Sequence, residues 1–338
     1  MGQGVGQSLS QYAAMQDYSP TPDAEFQKLV RAKYAGDPAA MTALGARLMV
    51  GRDAPFSPMD GLELLNAAAQ QNDAAAWSYL AVIAAAGVGR AQSWADAFDA
   101  LARAASLDHA PALRQRQLLS VLGVNSAADA DAWIDKFDTR VLHEQPRFAA
   151  HAVFLPMALC KYLIGHAAQR LQRAQVFDAV SGTLKVDPMR TNTSAAYSVI
   201  DIDVVIQLTR ARIARAADVA FNTLEPMEVL HYTGDESYKP HIDFFHPSRP
   251  GYADEMRMRG QRVKTCLVYL NAGYEGGETE FPKLGIKFRG ETGEALVFDS
   301  VGADGAGDMN TLHTGLPVTR GEKWLLSQWI REKRQPIA

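Results

Sequence analysis

Three side chains set the chemistry open to this chain: His241 and Asp243, separated only by Ile242, and His313, the last histidine of the sequence. Alternate residues of a β-strand project to the same side, so His241 and Asp243 can reach one ion while Ile242 turns away into packing. A second strand must then deliver His313. Two imidazoles and one carboxylate on one face of a divalent metal leave three positions open, which suits Fe(II) that must hold further molecules beside its protein ligands. Both imidazoles ligate in the neutral form, so affinity is expected to weaken as pH falls below roughly 6.5, the unperturbed histidine value. The triplet alone is a weak signal. With 8 His and 24 Asp in 338 residues, 8 × 24 / 338 gives roughly 0.6 His-x-Asp triplets by chance.

The surrounding text is far more specific. Val229-Leu230-His231-Tyr232-Thr233-Gly234-Asp235 leads into Tyr238-Lys239-Pro240-His241-Ile242-Asp243-Phe244-Phe245. Then come Thr265-Cys266-Leu267-Val268-Tyr269-Leu270-Asn271, Glu275-Gly276-Gly277-Glu278-Thr279-Glu280-Phe281-Pro282, His313-Thr314-Gly315 and Gly321-Glu322-Lys323-Trp324. These blocks, in this order, resemble the prolyl 4-hydroxylase-like branch of the Fe(II)/2-oxoglutarate dioxygenases. The resemblance runs from Pro146 to about Glu332. It implies a double-stranded β-helix, two antiparallel sheets folded as a jelly roll with flanking helices, and it implies Fe(II) with 2-oxoglutarate and O₂ as co-substrates.

Residue by residue, the resemblance makes His241, Asp243 and His313 the metal ligands and Lys323, ten residues past His313, the partner of the distal carboxylate of 2-oxoglutarate. A buried ammonium needs an anionic partner, and a bound dicarboxylate supplies one through a charge-assisted hydrogen bond. Thr265, Tyr232 and Tyr269 match polar positions of the same pocket. Arg190, in Arg190-Thr191-Asn192-Thr193-Ser194, and Tyr238 are candidate substrate contacts, with a structural ion pair as the alternative for Arg190. Retention of Asp243 favours hydroxylation over halogenation and leaves desaturation or ring closure open. His231 and His246 fall outside the triad pattern and are read as packed or loop histidines.

Elements must position these groups. Residues 263–270, 295–299 and 323–331 are β-branched and aromatic-rich runs bounded by Gly, Asn and Asp, and read as strands. Residues 155–179 carry apolar positions at helical spacing and read as helices covering a sheet. Residues 246–262 form a long connection beside the site, open to reading as a lid or a solvated loop.

Before residue 140 the sequence changes character. Leu44 and Leu80, Gly51 and Gly87, Leu65 and Leu101, and Ala68-Ala69 and Ala104-Ala105 are each 36 apart. Such a period, with Ala and Leu at contact positions, marks stacked helix pairs. The pattern resembles Sel-one-like relatives of the tetratricopeptide repeat, with two units and a partial third from Asp108-His109-Ala110. The array is read as a cap on the jelly roll or as a concave surface for a protein partner. Trp77, Trp94 and Trp133 are read as packing residues of it. The expected organisation is an α+β multidomain chain: a tail over residues 1–22, repeats over 23–122, a helical connector over 123–145 with its helix across 127–138, and the dioxygenase domain over 146–338.

Composition narrows the function classes. The net charge of −4 gives no electrostatic footprint for nucleic acid or an anionic membrane surface. No apolar run approaches the roughly 20 residues of a membrane span, and Met1-Gly2-Gln3-Gly4 begins no signal peptide. Cys160 and Cys266 lie in apolar runs, expected as buried thiols, with cytoplasm the expected compartment. The substrate is expected to be a prolyl residue of a peptide or protein, with a free amino acid or small metabolite as the alternative and a non-catalytic interaction protein that keeps the barrel as scaffold ranked below both.

Overall fold

The 36-residue period of the sequence returns as a period of helices. The computed structural model describes residues 23–178, 183–186, 189–249 and 251–335; the expected tail over 1–22 lies outside them. Helices α1 Ala24–Tyr34, α2 Pro38–Val50, α3 Pro58–Gln70, α4 Ala74–Ala86, α5 Trp94–Ser106, α6 Ala110–Val121 and α7 Ala127–Asp135 follow in order. From α2 to α4 and from α3 to α5, first and last residues each advance by 36. Punctuation repeats too. Asp37 and Asp73 accept backbone N–H groups at the starts of α2 and α4, and Gly51 and Gly87, at φ 68° and 69°, end them in the left-handed conformation. The third unit opens with His109 in the corresponding cap position, without a side-chain capping bond.

Small residues let the paired helices approach. A Cβ on Gly61 would lie 2.7 Å from the Gly45 carbonyl oxygen, and one on Gly45 would lie 2.8 Å from that of Gly61. One repeat later the same positions are Ala81 and Ala97, both fully buried. This unit comprises the described residues up to Ile134 together with Ser198–Thr209. Arg52 pairs with Asp201 at 2.6 Å, and Gln115 accepts the Val204 N–H at 3.1 Å.

The second unit, Asp135–Tyr197 with Arg210–Gln335, holds the sheets. Its strands are β1 Arg140–Glu144, β2 Arg147–His151, β3 Gln172–Arg173, β4 Gln175–Asp178, β5 Thr183–Val186, β6 Thr193–Ala196, β7 Glu228–Thr233 and β8 Tyr238–His241. There follow β9 Arg262–Tyr269, β10 Glu275–Gly276, β11 Thr279–Phe281, β12 Ile286–Phe288, β13 Ala295–Asp299, β14 His313–Gly315, β15 Val318–Arg320 and β16 Glu322–Arg331. An eight-stranded antiparallel sheet runs β1-β2-β13-β9-β16-β7-β6-β3, and a four-stranded one runs β12-β11-β14-β8. This is the expected jelly roll. Side chains of both sheets form one core, in which the Phe148 ring lies parallel to Phe298 at 5.4 Å and edge-on to Phe281 at 4.7 Å.

Three expectations need correcting. The helix expected across 127–138 in the 123–145 connector is α7, which stops at Asp135, and the connector then continues into β1, which pairs with β2 in the large sheet. The helix expected over 155–179 is α8, Met157–Ala168, with Leu159, Cys160, Leu163 and Ala167 on its buried face. Polar Gln169, Arg170, Gln172 and Arg173 interrupt that apolar stripe, and β3 then pairs with β6; Ala179 lies outside the described residues. A further helix, α9 Val204–Ala216, has residues in both units. About half of the 246–262 connection is helix α10, Tyr252–Arg259, set between Gly251 and Gly260 at φ 78° and 77°. Asp254 and Glu255 in its first turn and Arg257 and Arg259 in its last suit the helix dipole.

The Gly45–Gly61 contact fixes the sign of a substitution. Alanine is better than glycine in a helix by about 1 kcal/mol, but a Cβ against a backbone carbonyl cannot be relieved by a rotamer change, and overpacking costs about 1–3 kcal/mol. Gly61→Ala should therefore lower the thermal midpoint of the helical unit, followed by circular dichroism on the full chain. A midpoint that rises would show that the helices are not held this close.

Candidate metal centre

Strand pairing brings together two histidines 72 residues apart. β8 ends at His241, β14 begins at His313, and the two are direct cross-strand partners. Asp243 lies just beyond β8, in the bend that follows. Its Oδ1 is 3.8 Å from His241 Nε2, its Oδ2 is 3.8 Å from His313 Nε2, and ligand atoms of all three residues fall within 4.8 Å of one another. One ion can be reached from all three.

The donor set fits a metal in its tautomers as well. His241 Nδ1 lies 2.9 Å from the Lys239 carbonyl and His313 Nδ1 lies 3.0 Å from the Thr311 carbonyl. A carbonyl only accepts, so each Nδ1 carries the proton and each Nε2 lone pair is free to ligate. Burial, helped by the neighbouring His313, pushes the His241 pKa down, so its neutral form persists below the unperturbed histidine range. Burial works to raise Asp243, but the two imidazoles and the Thr265 hydroxyl outweigh it and hold the carboxyl below its ordinary value.

Packing holds the rings in place. Phe281 stacks on His313 at 5.2 Å and Phe298 meets it edge-on at 5.3 Å. Tyr238 stacks on His241 at 3.5 Å between centroids, with 13° between the planes. Thr265 donates to Asp243 Oδ2 at 2.6 Å. Thr265 therefore belongs beside the ligand carboxylate, not at the expected co-substrate pocket, because β9 points it at the bend that carries Asp243.

His241, Asp243 and His313 share one pocket with Lys323, Tyr232, Tyr238, Leu230, Leu267, Thr279, Leu325, Ser327 and Trp329. Lys323 is only 2% exposed and donates to the Gly277 carbonyl at 2.7 Å, between the rings of Tyr232 and Tyr269. Burial lowers its pKa to about 7, with Glu278 opposing the shift. Tyr232 lines the pocket, whereas the Tyr269 hydroxyl is engaged by Thr279 at 2.8 Å and by the Phe288 carbonyl at 3.3 Å.

The two candidate substrate contacts separate. Tyr238 lines the pocket, and burial pushes its hydroxyl up to about 12. Arg190 is not among the lining residues; it pairs with Glu228 at 2.6 Å and lies over the Tyr238 ring, which is the ion-pair alternative. His231 stacks on Trp324 and meets Glu322, and His246, exposed in the loop after the bend, meets Ser248.

Sequence reasoning missed Thr279, Ser327 and Trp329. For the last two the signal was available: on β16 the period of two from Lys323 runs through Leu325 to Ser327 and Trp329. Trp329 is 9% exposed, and among the described residues its indole N–H has no acceptor.

Comparison with known proteins adds to this geometry. Residues 227–331 match the family model described as the 2OG-Fe(II) oxygenase superfamily, a span that includes the three ligands and Lys323. The chain is 34% identical over 209 residues to prolyl 4-hydroxylase 1 of Arabidopsis thaliana, covering 57% of this chain and 71% of that one. Among solved structures it is similar to the viral collagen prolyl hydroxylase of Paramecium bursaria Chlorella virus-1 in complex with 2OG, at 24% identity and a TM-score of 0.41 over 54% of this chain and 95% of that one. It is also similar to a Sel1 repeat protein from Oxalobacter formigenes, at 24% identity and a TM-score of 0.29 over 38% of this chain and 55% of that one.

Two predictions follow the residues. Thr265→Val keeps the shape of the side chain but removes the hydrogen bond to Asp243, so metal affinity should fall by about tenfold, near the lower end of outer-shell effects; equilibrium titration with Mn(II) measures it, and an unchanged Kd contradicts the role. For Lys323, a dicarboxylate needs the ammonium form. Below pH 7 the ligand-free lysine is already charged, whereas above pH 7 binding must take up a proton, so 2-oxoglutarate affinity should fall by up to about tenfold per pH unit. Anaerobic binding titrations between pH 6 and 9 would show this slope. Lys323→Arg, charged throughout, should flatten it.

Proposed function

Because the chain belongs to the 2OG-Fe(II) oxygenases, and within them to the prolyl 4-hydroxylase family, we propose that it hydroxylates prolyl residues in a peptide or protein and does so at the pocket shared by His241, Asp243, His313 and Lys323. Fe(II), 2-oxoglutarate and O₂ together supply the oxidising power to replace an unactivated C–H by C–OH, with succinate and CO₂ as co-products. The observation that carries the reading is that a His₂/Asp donor set and a buried ammonium whose hydrogen-bond partner is a carbonyl face one cavity. In this assignment the triad holds the metal, and Lys323 holds the far carboxylate of 2-oxoglutarate through a charge-assisted hydrogen bond. Leu230, Leu267 and Leu325 line the walls with apolar surface, which keeps water from the reacting atoms.

A polypeptide substrate is favoured by Trp329. Its unmet N–H needs an acceptor, and a peptide brings backbone carbonyls on both sides of the residue to be hydroxylated. Tyr238 lies on the same wall set. The helical repeats, whose helix pairs can present a concave surface, are assigned to holding a protein partner. We place the protein in the cytoplasm on the support of two free, buried cysteines. Among the described residues no helix is long and apolar enough to cross a membrane.

The test is turnover of the full-length protein with Fe(II), 2-oxoglutarate and O₂ on proline-containing peptides and, separately, on free proline and other amino acids. Mass spectrometry should find one added oxygen on a prolyl residue and matching succinate. Free proline as the better substrate would favour a metabolite hydroxylase. Trp329→Phe should cut kcat/KM for the peptide by about tenfold, the loss of one hydrogen bond to a donor of this kind, while 2-oxoglutarate affinity stays constant. Equal loss for both ligands would place Trp329 outside the substrate's reach.

A further inference from the structure

Asp243 and His313 arrive on segments that meet at one place besides the metal site. After Asp243 the bend continues into Phe244, which is buried. Before His313 runs the connection from β13, folded on itself by a Val301–Gly307 bridge, a Gly302 N–H to Ala306 carbonyl bond of 2.8 Å and an Asp308 N–H to Ser300 carbonyl bond of 3.0 Å. That connection ends in Thr311, whose carbonyl accepts from His313 Nδ1 and whose hydroxyl donates to the Asp308 carbonyl at 2.7 Å. The Phe244 ring lies on Gly307. A Cβ at Gly307 would fall 2.7 Å from Phe244 Cζ and still closer to Cε2 and Cδ2, distances that real Cβ atoms do not reach.

We propose that Gly307 is a positioning residue of the metal centre: its missing side chain seats the Phe244 ring, and that seat ties the loop presenting His313 to the bend presenting Asp243. The assignment rests on the triad being the metal site. Phe245, the next residue, is held independently, its N–H and carbonyl both bonded to the Gln261 side chain at 2.7 and 2.9 Å and its ring under Arg262 and Arg331. The bend is thus clamped from one side by Gln261 and from the other by Gly307. Filling the glycine seat pushes the ring, and with it the backbone of Asp243, while the Gln261 side stays in place. The ring cannot yield far, because packed interiors have few voids to receive it.

The test uses full-length protein and Mn(II) as the probe, with affinity measured by equilibrium titration and folding by thermal melt of the metal-free protein. Gly307→Ala should weaken Mn(II) binding by at least about tenfold, the scale of lost support for a metal ligand. Gly307→Ala combined with Phe244→Leu removes the offending ring carbons and should bring the Kd back to within about threefold of the parent. The inference is overturned if Gly307→Ala binds as the parent does, or if the pair fails to recover affinity while its metal-free melt matches the parent's. Should Gly307→Ala alone not fold, the pair and Phe244→Leu decide it: Phe244→Leu must weaken Mn(II) binding, and an unchanged Kd there overturns the seat. Parent protein whose Mn(II) binding survives His313→Ala would instead fail the metal-site reading itself and leave nothing for Gly307 to position.

Discussion

Everything at the site depends on one cross-strand pair, His313 opposite His241 in the antiparallel ladder of β14 and β8. Register in a sheet is all-or-none for a side chain: a slip of one residue turns it to the other face. The small sheet is only four strands wide and its strands are three or four residues long, so the ladder bonds alone specify little. Register is set by what surrounds it. Phe281 and Phe298 grip His313, Tyr238 lies on His241, and the two ring Nδ1 protons are each claimed by a carbonyl two residues earlier in sequence. The aromatic core of the barrel is thereby also the mould of the metal site.

Much of this was legible in the sequence, for identifiable reasons. β-Branched and aromatic-rich composition with flanking turn residues marks β9, β13 and β16 because those strands are buried along most of their length. The 36-residue repeat declares its helices because the same caps and small contact residues recur at Asp37 and Asp73, Gly51 and Gly87. The triad and Lys323 were readable through the ordered blocks around them that carry the family resemblance, because a His-x-Asp triplet alone arises readily by chance in a chain of this make-up. What stayed hidden depends on tertiary context. Thr265 has the right chemistry for a co-substrate contact, and only the fold shows its hydroxyl committed to Asp243. Arg190 looks like a substrate contact until Glu228, 38 residues later, is found beside it. The helix α10 was missed because Met, Arg, Asp and Glu without an apolar stripe read as loop; its order comes from ion pairs, including Glu255 with Arg331 at 2.6 Å.

Charge is handled in two opposite ways within one barrel. Glu225 is buried, which works to raise its pKa, but Arg262 and Arg331 hold it down to about 2, one carboxylate shared by two guanidiniums. Lys323 is equally buried, but its hydrogen-bond partner is a carbonyl. A group left this way loses its proton readily and gains most from an incoming anion, while the arginines already have a carboxylate partner. The same strand, β16, carries both, Lys323 near its start and Arg331 at its end.

The helical unit is not continuous along the chain, since Ser198–Thr209 belongs with the residues up to Ile134. During synthesis from the N-terminus the repeats leave the ribosome first, yet the Asp201 partner of Arg52 and the Val204 N–H that meets Gln115 come more than 85 residues after those partners. Between them, β1 to β6 have already been made. The repeats thus receive Ser198–Thr209 only after the early strands of the second unit have been made. Along the sequence the two units are therefore interleaved, and a cut between residues 134 and 135 would not separate them.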